Sequence, residues 1–296
     1  GRSRRSDVQH QLASGFTSRG ASGGPCDSTR WQRTLRQPRA RLTERYTAPT
    51  AAVVVIGNEV LSGKVTDANT PFFIEQLRGL GVRLSRVAMI EDDIETIAAE
   101  VRAASKRFDW VFTTGGLGPT HDDVTMAAIA RAFDCELTQS PELTAMLDNI
   151  RGKRPVDVLM RLTWIPSRAS LFHGTDGSMR WPIVHVDNVY IFPGVPSFLR
   201  SKFAALRPLL AARPFVSGFV DCAQSEAEIV DAIDQTDAGF VHVDLGSYPQ
   251  FGDEDHKTHL TFDAMDGNDV DQAIDHFLSL VSEAQIVRVV RRASQA

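Results

Sequence analysis

Regular hydrophobic patterning begins at residue 51. Ala51–Ile56 (AAVVVI) is an unbroken apolar run stopped by Gly57, the pattern of a strand buried on both faces. Phe73, Ile74, Leu77 and Leu80 then recur at helical spacing and predict a helix over 70–80, with Gly81 as its stop. Residues 82–90 alternate as a second strand. Ile94, Ile97, Ala98 and Val101 mark one face of a helix over 94–108. A third strand over 109–114 and a helix over 124–133 follow. Strand and helix alternate through short links, which predicts a mainly parallel sheet covered on both faces, a three-layer α/β sandwich.

Further on, 141–150 reads as a helix and 162–171 as irregular chain or a short strand. Residues 183–186 and 189–192 flank Asp187-Asn188, a two-residue hairpin turn, and 196–210 reads as the closing helix. After Arg213-Pro214 the pattern becomes strand 215–222, helix 226–234, strand 240–245, strand 258–263, helix 270–281 and strand 286–290. That order, βαββαβ, predicts a small ferredoxin-like α+β domain. The expected division is an Arg-rich extension over 1–48, an α/β domain over 49–214 and the small domain over 215–296.

Charge sharpens the first boundary. Residues 1–48 hold ten Arg, no Lys and three acids, a net +7, whereas the rest carries −12. The extension is rich in Arg, Ser and Gly and poor in apolar periodicity, so it is expected to be disordered. A dispensable extension, an organelle-targeting segment and a partner- or RNA-binding arm all fit that composition. The acidic body is a poor candidate for nonspecific nucleic-acid binding. No apolar stretch approaches membrane-spanning length, so no membrane partner is expected. Cys26, Cys135 and Cys222 form no CxxC pair or disulfide framework, which suits a reducing, cytoplasmic setting.

Three segments at the carboxyl ends of predicted strands carry candidate chemistry, and in an open parallel sheet ligands bind at that edge. The first is Thr113–Thr125 (TTGGLGPTHDDVT). Gly115, Gly116 and Gly118 let backbone amides approach a phosphate, and the following helix start favours an anion. Thr120, Asp122 or Asp123 can cap that helix. Two acids beside a phosphate also suit a hard divalent ion (Mg, Mn or Co) that bridges carboxylate and phosphate. His121 reads either as an acid/base or ligand group or as a solvent-facing loop residue.

The second is Gly57–Thr70 (GNEVLSGKVTDANT). Asp67, Asn69 or Thr70 can cap the next helix, and Asp67 and Asn69, with Ser62 and Ser197, can instead position a ligand; Glu59 directly after a buried strand is a candidate ligand contact. Ser62 and Gly63 can meet phosphate. The third is Phe192–Ser197, where Pro193, Gly194 and Ser197 read as turn punctuation or a ligand-facing loop. Asp92, in Glu91-Asp92-Asp93, reads as part of a solvated helix start or as one more site carboxylate. Tyr248 in Leu245–Pro249 is placed in a loop where it can stack on a ring. His256 and His259 are expected on opposite faces of a strand, which argues against a shared metal. No GxxxxGK[ST], GxSxG or HExxH motif is present.

Residues 51–213 resemble the MoaB/Mog molybdopterin-binding domain, in the variant at the amino end of CinA and of eukaryotic FAD synthase. GNEVLSGKVTDANT, TTGGLGPTHDDVT and FPGVPSFL carry the likeness. Gly174–Gly177 (GTDG), Trp181–Gly194 (WPIVHVDNVYIFPG) and the later GSYP are most similar to the FAD-synthase form. The resemblance implies a pterin- or nucleotide-phosphate pocket, a homo-oligomer, and two important acids that fall at Asp92 and Asp123. In this branch it further implies metal-dependent cleavage of FAD or ADP-ribose pyrophosphate to AMP. Asp122, Asp123 and Glu59 would hold the metal. The alternatives are a molybdopterin carrier of cofactor biosynthesis and a non-catalytic binding domain. The family's Gly-Asp-Glu is Gly-Asn-Glu here, one acid fewer. Neither the CinA deamidase domain nor the PAPS-reductase-like domain of FAD synthase accompanies the motifs, so neither of those activities is expected.

Overall fold

The computed structural model describes residues 48–150, 156–177, 179–252 and 255–293; the Arg-rich extension lies outside them apart from Ala48. A six-stranded sheet forms the body. Its strands are β1 (Thr50–Ile56), β2 (Arg83–Ile90), β3 (Trp110–Thr114), β6 (Ser170–Phe172), β7 (Ile183–Val186) and β8 (Val189–Phe192). Their order is β2-β1-β3-β8-β7-β6. β2, β1, β3 and β8 run parallel; β7 runs against them, and β6, antiparallel to β7, returns to the common direction at that side. The separate pair β4 (Leu137–Gln139) and β5 (Trp164–Pro166) completes the strands of this part.

The apolar run of β1 is buried throughout and feeds two cores. Ala52, Val54 and Ile56 pack with Ile97, Val101 and Ile129 on one face. Ala51, Val53 and Val55 pack with Phe73, Leu77, Phe203 and Leu206 on the other. The helices responsible are α3 (Ile94–Ser105) and α4 (Thr125–Ala132) on the first face, and α2 (Asn69–Gly79) and α7 (Pro196–Leu210) on the second. Successive strand side chains point to opposite faces, so a strand between two helix layers must be apolar at every position. The remaining helices here are α1 (Asn58–Leu61), α5 (Pro141–Ile150) and α6 (Val156–Met160).

The hairpin turn behaves as its sequence predicts, with Asp187 at φ 49°. Asn188 also does work at a distance. Its amide donates to Ser105 O at 3.1 Å and Phe108 O at 2.8 Å, supplying donors to carbonyls at the end of α3.

The second part is the βαββαβ unit: β9 (Val216–Cys222), α8 (Glu226–Gly239), β10 (Asp244–Pro249), β11 (Thr258–Ala264), α9 (Gly267–Leu280) and β12 (Ile286–Ala293). Its sheet order is β10-β11-β9-β12, antiparallel throughout. Val220, Leu260 and Phe262 form its own core with Ile229, Ile274 and Phe277. Two expectations change. α8 runs to Gly239 rather than 234, because Thr236 is buried and returns a hydrogen bond to Ala232 O at 2.8 Å. The strand expected over 240–245 lies instead at 244–249, since residues 240–243 turn through a Val243 N to Phe240 O bond. Gly246–Pro249 is therefore strand, not loop.

The two parts meet at the end of α2. Gly81 has φ +73°, and a Cβ there would stand 2.0 Å from Arg213 O. Arg78 donates to Ser217 Oγ at 2.9 Å and pairs with Asp263.

Candidate functional site

The three motif loops converge at the carboxyl edge of β1, β3 and β8, and glycine backbone is what lets them meet. Gly115 has φ +108°, and a Cβ on it would lie 1.9 Å from Ile56 O. Gly194 is packed so that its own Cβ would be 3.3 Å from Gly115 Cα. Thr125 Oγ1 donates to Gly115 O at 2.9 Å and locks the loop to the start of α4.

Asn69 binds the three loops together. It is buried, and its amide donates to Thr114 Oγ1 at 3.0 Å and to Gly194 O at 2.8 Å. Its Oδ1 and the nearby Thr113 Oγ1 are buried without a hydrogen-bond partner among the described residues. An unmet buried acceptor costs free energy unless water or a ligand meets it. Asp67 accepts from Asn69 N at 2.9 Å and Thr70 N at 3.1 Å, so it caps α2.

Asp92 is drawn into the same place. Its Oδ2 accepts from Asn58 N at 2.7 Å, and its Oδ1 lies 3.5 Å from where a Cβ on Gly116 would stand. Glu59 folds back over Gly57 from the short α1, within 2.7 Å of where a Cβ would sit. Ser62 donates to Glu59 O at 3.3 Å and is exposed, as is Ser197 at the start of α7. Pro193 O accepts from Thr114 Oγ1 at 3.1 Å.

The acids of the glycine loop are organised by the loop itself. Asp123 accepts from Gly118 N at 2.6 Å and Thr120 N at 2.8 Å. The Gly118 amide, expected to hold phosphate, is thus given to Asp123 in this conformation. Thr120 Oγ1 approaches Asp122 Oδ1 at 2.5 Å and also meets Asp123 Oδ2. One hydroxyl proton serves one acceptor, so two carboxylates crowd a single donor, and a cation relieves that crowding. The Thr120 hydroxyl, chiefly, holds the Asp122 carboxyl below its ordinary range, with the His121 charge adding to it. His121 itself is almost fully exposed. Arg161 reaches over the loop toward Thr120 O at 3.3 Å. It follows the loop by some forty residues, and nothing in local spacing marks it.

Glu59, Asp122 and Asp123 do not have ligand atoms all within 4.8 Å of one another. The trio among the described residues whose ligand atoms lie within 4.8 Å of one another is Asp221, His256 and His259. Here the expectation for the two histidines is corrected: His256 precedes β11 rather than lying in it, so strand alternation does not separate them. Tyr248 lies on β10 beside the same group, paired with His259. Among the described residues no helix is long and apolar enough to cross a membrane.

Comparison with known proteins follows the same division. The family model "Probable molybdopterin binding domain" matches residues 52–212, and "FAD synthase, middle domain" matches 214–290. A protein of Archaeoglobus fulgidus is 31% identical over 231 residues, 78% of this chain and 97% of its own length. A probable FAD synthase of Caenorhabditis briggsae is 34% identical over 240 residues, 72% of this chain; the match spans 46% of that protein. Among solved structures, the protein CinA of Thermoplasma acidophilum, described as of unknown function, aligns at TM-score 0.49 and 26% identity. It covers 55% of this chain and 99% of its own. The chain belongs to the molybdopterin-binding domain family, in the form where that domain is followed by a segment matching the FAD synthase middle domain.

Proposed function

We propose that the chain is a metal-dependent nucleotide pyrophosphatase that cleaves FAD or ADP-ribose to AMP and a second phosphate. The observation that carries this reading is the pairing of Asp122 and Asp123 on one hydroxyl, at a glycine turn held against the carboxyl edge of the sheet. Asp122 and Asp123 would hold one divalent ion, with phosphate oxygens and water completing its shell, as suits Mg²⁺ or Mn²⁺. Both Asp123 oxygens accept amide hydrogen bonds yet keep lone pairs for an ion. When bound there, such an ion would polarise a phosphoryl oxygen and lower the pKa of bound water. Gly115 and Gly116 bring backbone close to the pyrophosphate, while Asn69 sets the relative position of the loops. Asp92 and Glu59 border the same edge and would orient water. The match to the FAD synthase middle domain and the similarity to a probable FAD synthase support a nucleotide ligand.

A pterin ligand is the second reading, favoured by the match of 52–212 to a molybdopterin-binding domain. Pterin and dinucleotide both present phosphate to this loop. The test is incubation of the protein with FAD or ADP-ribose, with Mg²⁺, Mn²⁺, Co²⁺ or EDTA, and assay of AMP. Metal-dependent AMP that disappears in Asp123→Asn, while the variant melts as a folded protein, is the expected result. No AMP with any metal overturns the pyrophosphatase reading for these substrates and leaves binding of molybdopterin to be measured directly.

A further inference from the structure

A second constellation lies on the small sheet, on the face opposite its helices. In one register row across all four strands stand Tyr248 (β10), His259 (β11), Asp221 (β9) and Arg288 (β12). His256 enters from the turn before β11. Asp221 is nearly inaccessible, with 3% of its side chain exposed, while His256 and His259 keep 18% and 28%. A buried carboxylate must be paired. Here the two oxygens are divided between different partners. Arg288 Nε donates to Oδ2 at 2.9 Å. His259 Nδ1 lies 2.6 Å and His256 Nε2 3.7 Å from Oδ1. Arg288 also lies over the Phe219 ring at 4.6 Å, which fixes the guanidinium, and Phe219 stands 5.1 Å from His259.

We propose that Asp221, His256 and His259 form a binding site for a late first-row divalent ion of the Zn²⁺ class. Two imidazoles and one carboxylate are the donors such ions take, whereas Mg²⁺ and Ca²⁺ prefer oxygen alone. The three donor atoms lie within 4.8 Å of one another. A tetrahedral ion with bonds of about 2.1 Å sets its ligands roughly 3.4 Å apart. His259 therefore opens from its hydrogen bond by about 0.8 Å, His256 closes on Oδ1 by a few tenths of an ångström, and the two imidazoles draw together to the same spacing. Arg288 acts as the supporting group, keeping Oδ1 turned to the histidines. Three protein ligands leave a fourth position open. With Arg288 balancing the carboxylate, the loaded site is cationic and takes an anion or hydroxide there.

The test uses the full chain carrying Asp122→Asn and Asp123→Asn, which removes the two glycine-loop acids and keeps this site separable from the pyrophosphatase reading. Co²⁺ is titrated and followed by its visible absorption, and Zn²⁺ is followed by displacement of Co²⁺ and by thermal melting. The expected result is one ion per chain, a tetrahedral Co²⁺ spectrum and a rise in Tm with Zn²⁺. His256→Gln and His259→Gln should each weaken Co²⁺ affinity by more than about 100-fold. His256→Gln disturbs the Asp221–Arg288 pair least, so it carries the test if His259→Gln folds poorly. No Co²⁺ spectrum, or a Co²⁺ affinity unchanged in His256→Gln, overturns the proposal and leaves a buried ion-pair cluster.

Discussion

At the scale of single residues, the site depends on atoms that are absent. Gly115 is the clearest case, because its φ of +108° and its 1.9 Å virtual contact with Ile56 O exclude any Cβ. Gly115→Ala forces β1 and β3 apart at the edge where the loops meet. A destabilisation of more than about 3 kcal/mol is expected, read from chemical denaturation. A loss below 1 kcal/mol would mean that the loop has room to relax. Motif spacing alone marked this glycine as important. It did not show that the contact is with the carbonyl of Ile56 on the neighbouring strand β1, which depends on the parallel register of β1 and β3. Asn69 shows the reverse. Its sequence position allowed a cap, but Asp67 is the cap, and Asn69 is buried as a bridge between Thr114 and Gly194.

At the scale of elements, helix α7 is anchored by Lys202, whose ammonium donates to Trp181 O and Pro182 O at 2.7 Å each. Burial lowers its pKa from 10.5 to about 8. Between those values the unfolded chain binds a proton that the folded chain has lost, so stability rises with pH across the window. Below about pH 8 the cost of the buried charge is present in full. The Tm of the wild type should therefore gain on that of Lys202→Met as pH is raised from 8 to 10. A constant difference would show that the two carbonyls keep the lysine charged throughout. The sequence reading of a closing helix over 196–210 holds, and its buried face runs from Leu199 through Phe203 and Leu206 to Leu210. It was silent on Lys202, because the two carbonyls lie some twenty residues upstream and meet it only when α7 packs on the sheet.

At the scale of the whole molecule, polar contacts reinforce the connection between the two domains. Arg78 supplies two of these, to Ser217 and Asp263. The guanidinium is half exposed, so Arg78→Ala should cost no more than about 1 kcal/mol globally. Its effect should fall on the junction, as faster hydrogen exchange in β9 and β11 with little change in β1 and β3. Equal acceleration across both sheets would show that the domains unfold as one unit. The charge of the chain divides in another way, between the Arg-rich extension and the acidic remainder.

The order of the main strands and helices, the two-sided burial of β1, the βαββαβ unit and the three loops at one sheet edge follow from the sequence by itself, whereas the short α1, β4, β6 and α6 do not. Each rests on local periodicity or on a short motif, and those constraints act within about ten residues of chain. Only the tertiary structure decided which acids stand together. Asp122 and Asp123 share Thr120, Asp92 reaches the first loop, and Glu59 folds back over Gly57. It also moved the strand of Tyr248 and brought His256 and His259 to one carboxylate. Side-chain convergence depends on strand register and on where a turn releases the chain. A shift of a few residues, invisible to periodicity, decides whether two histidines three apart face away from each other or meet.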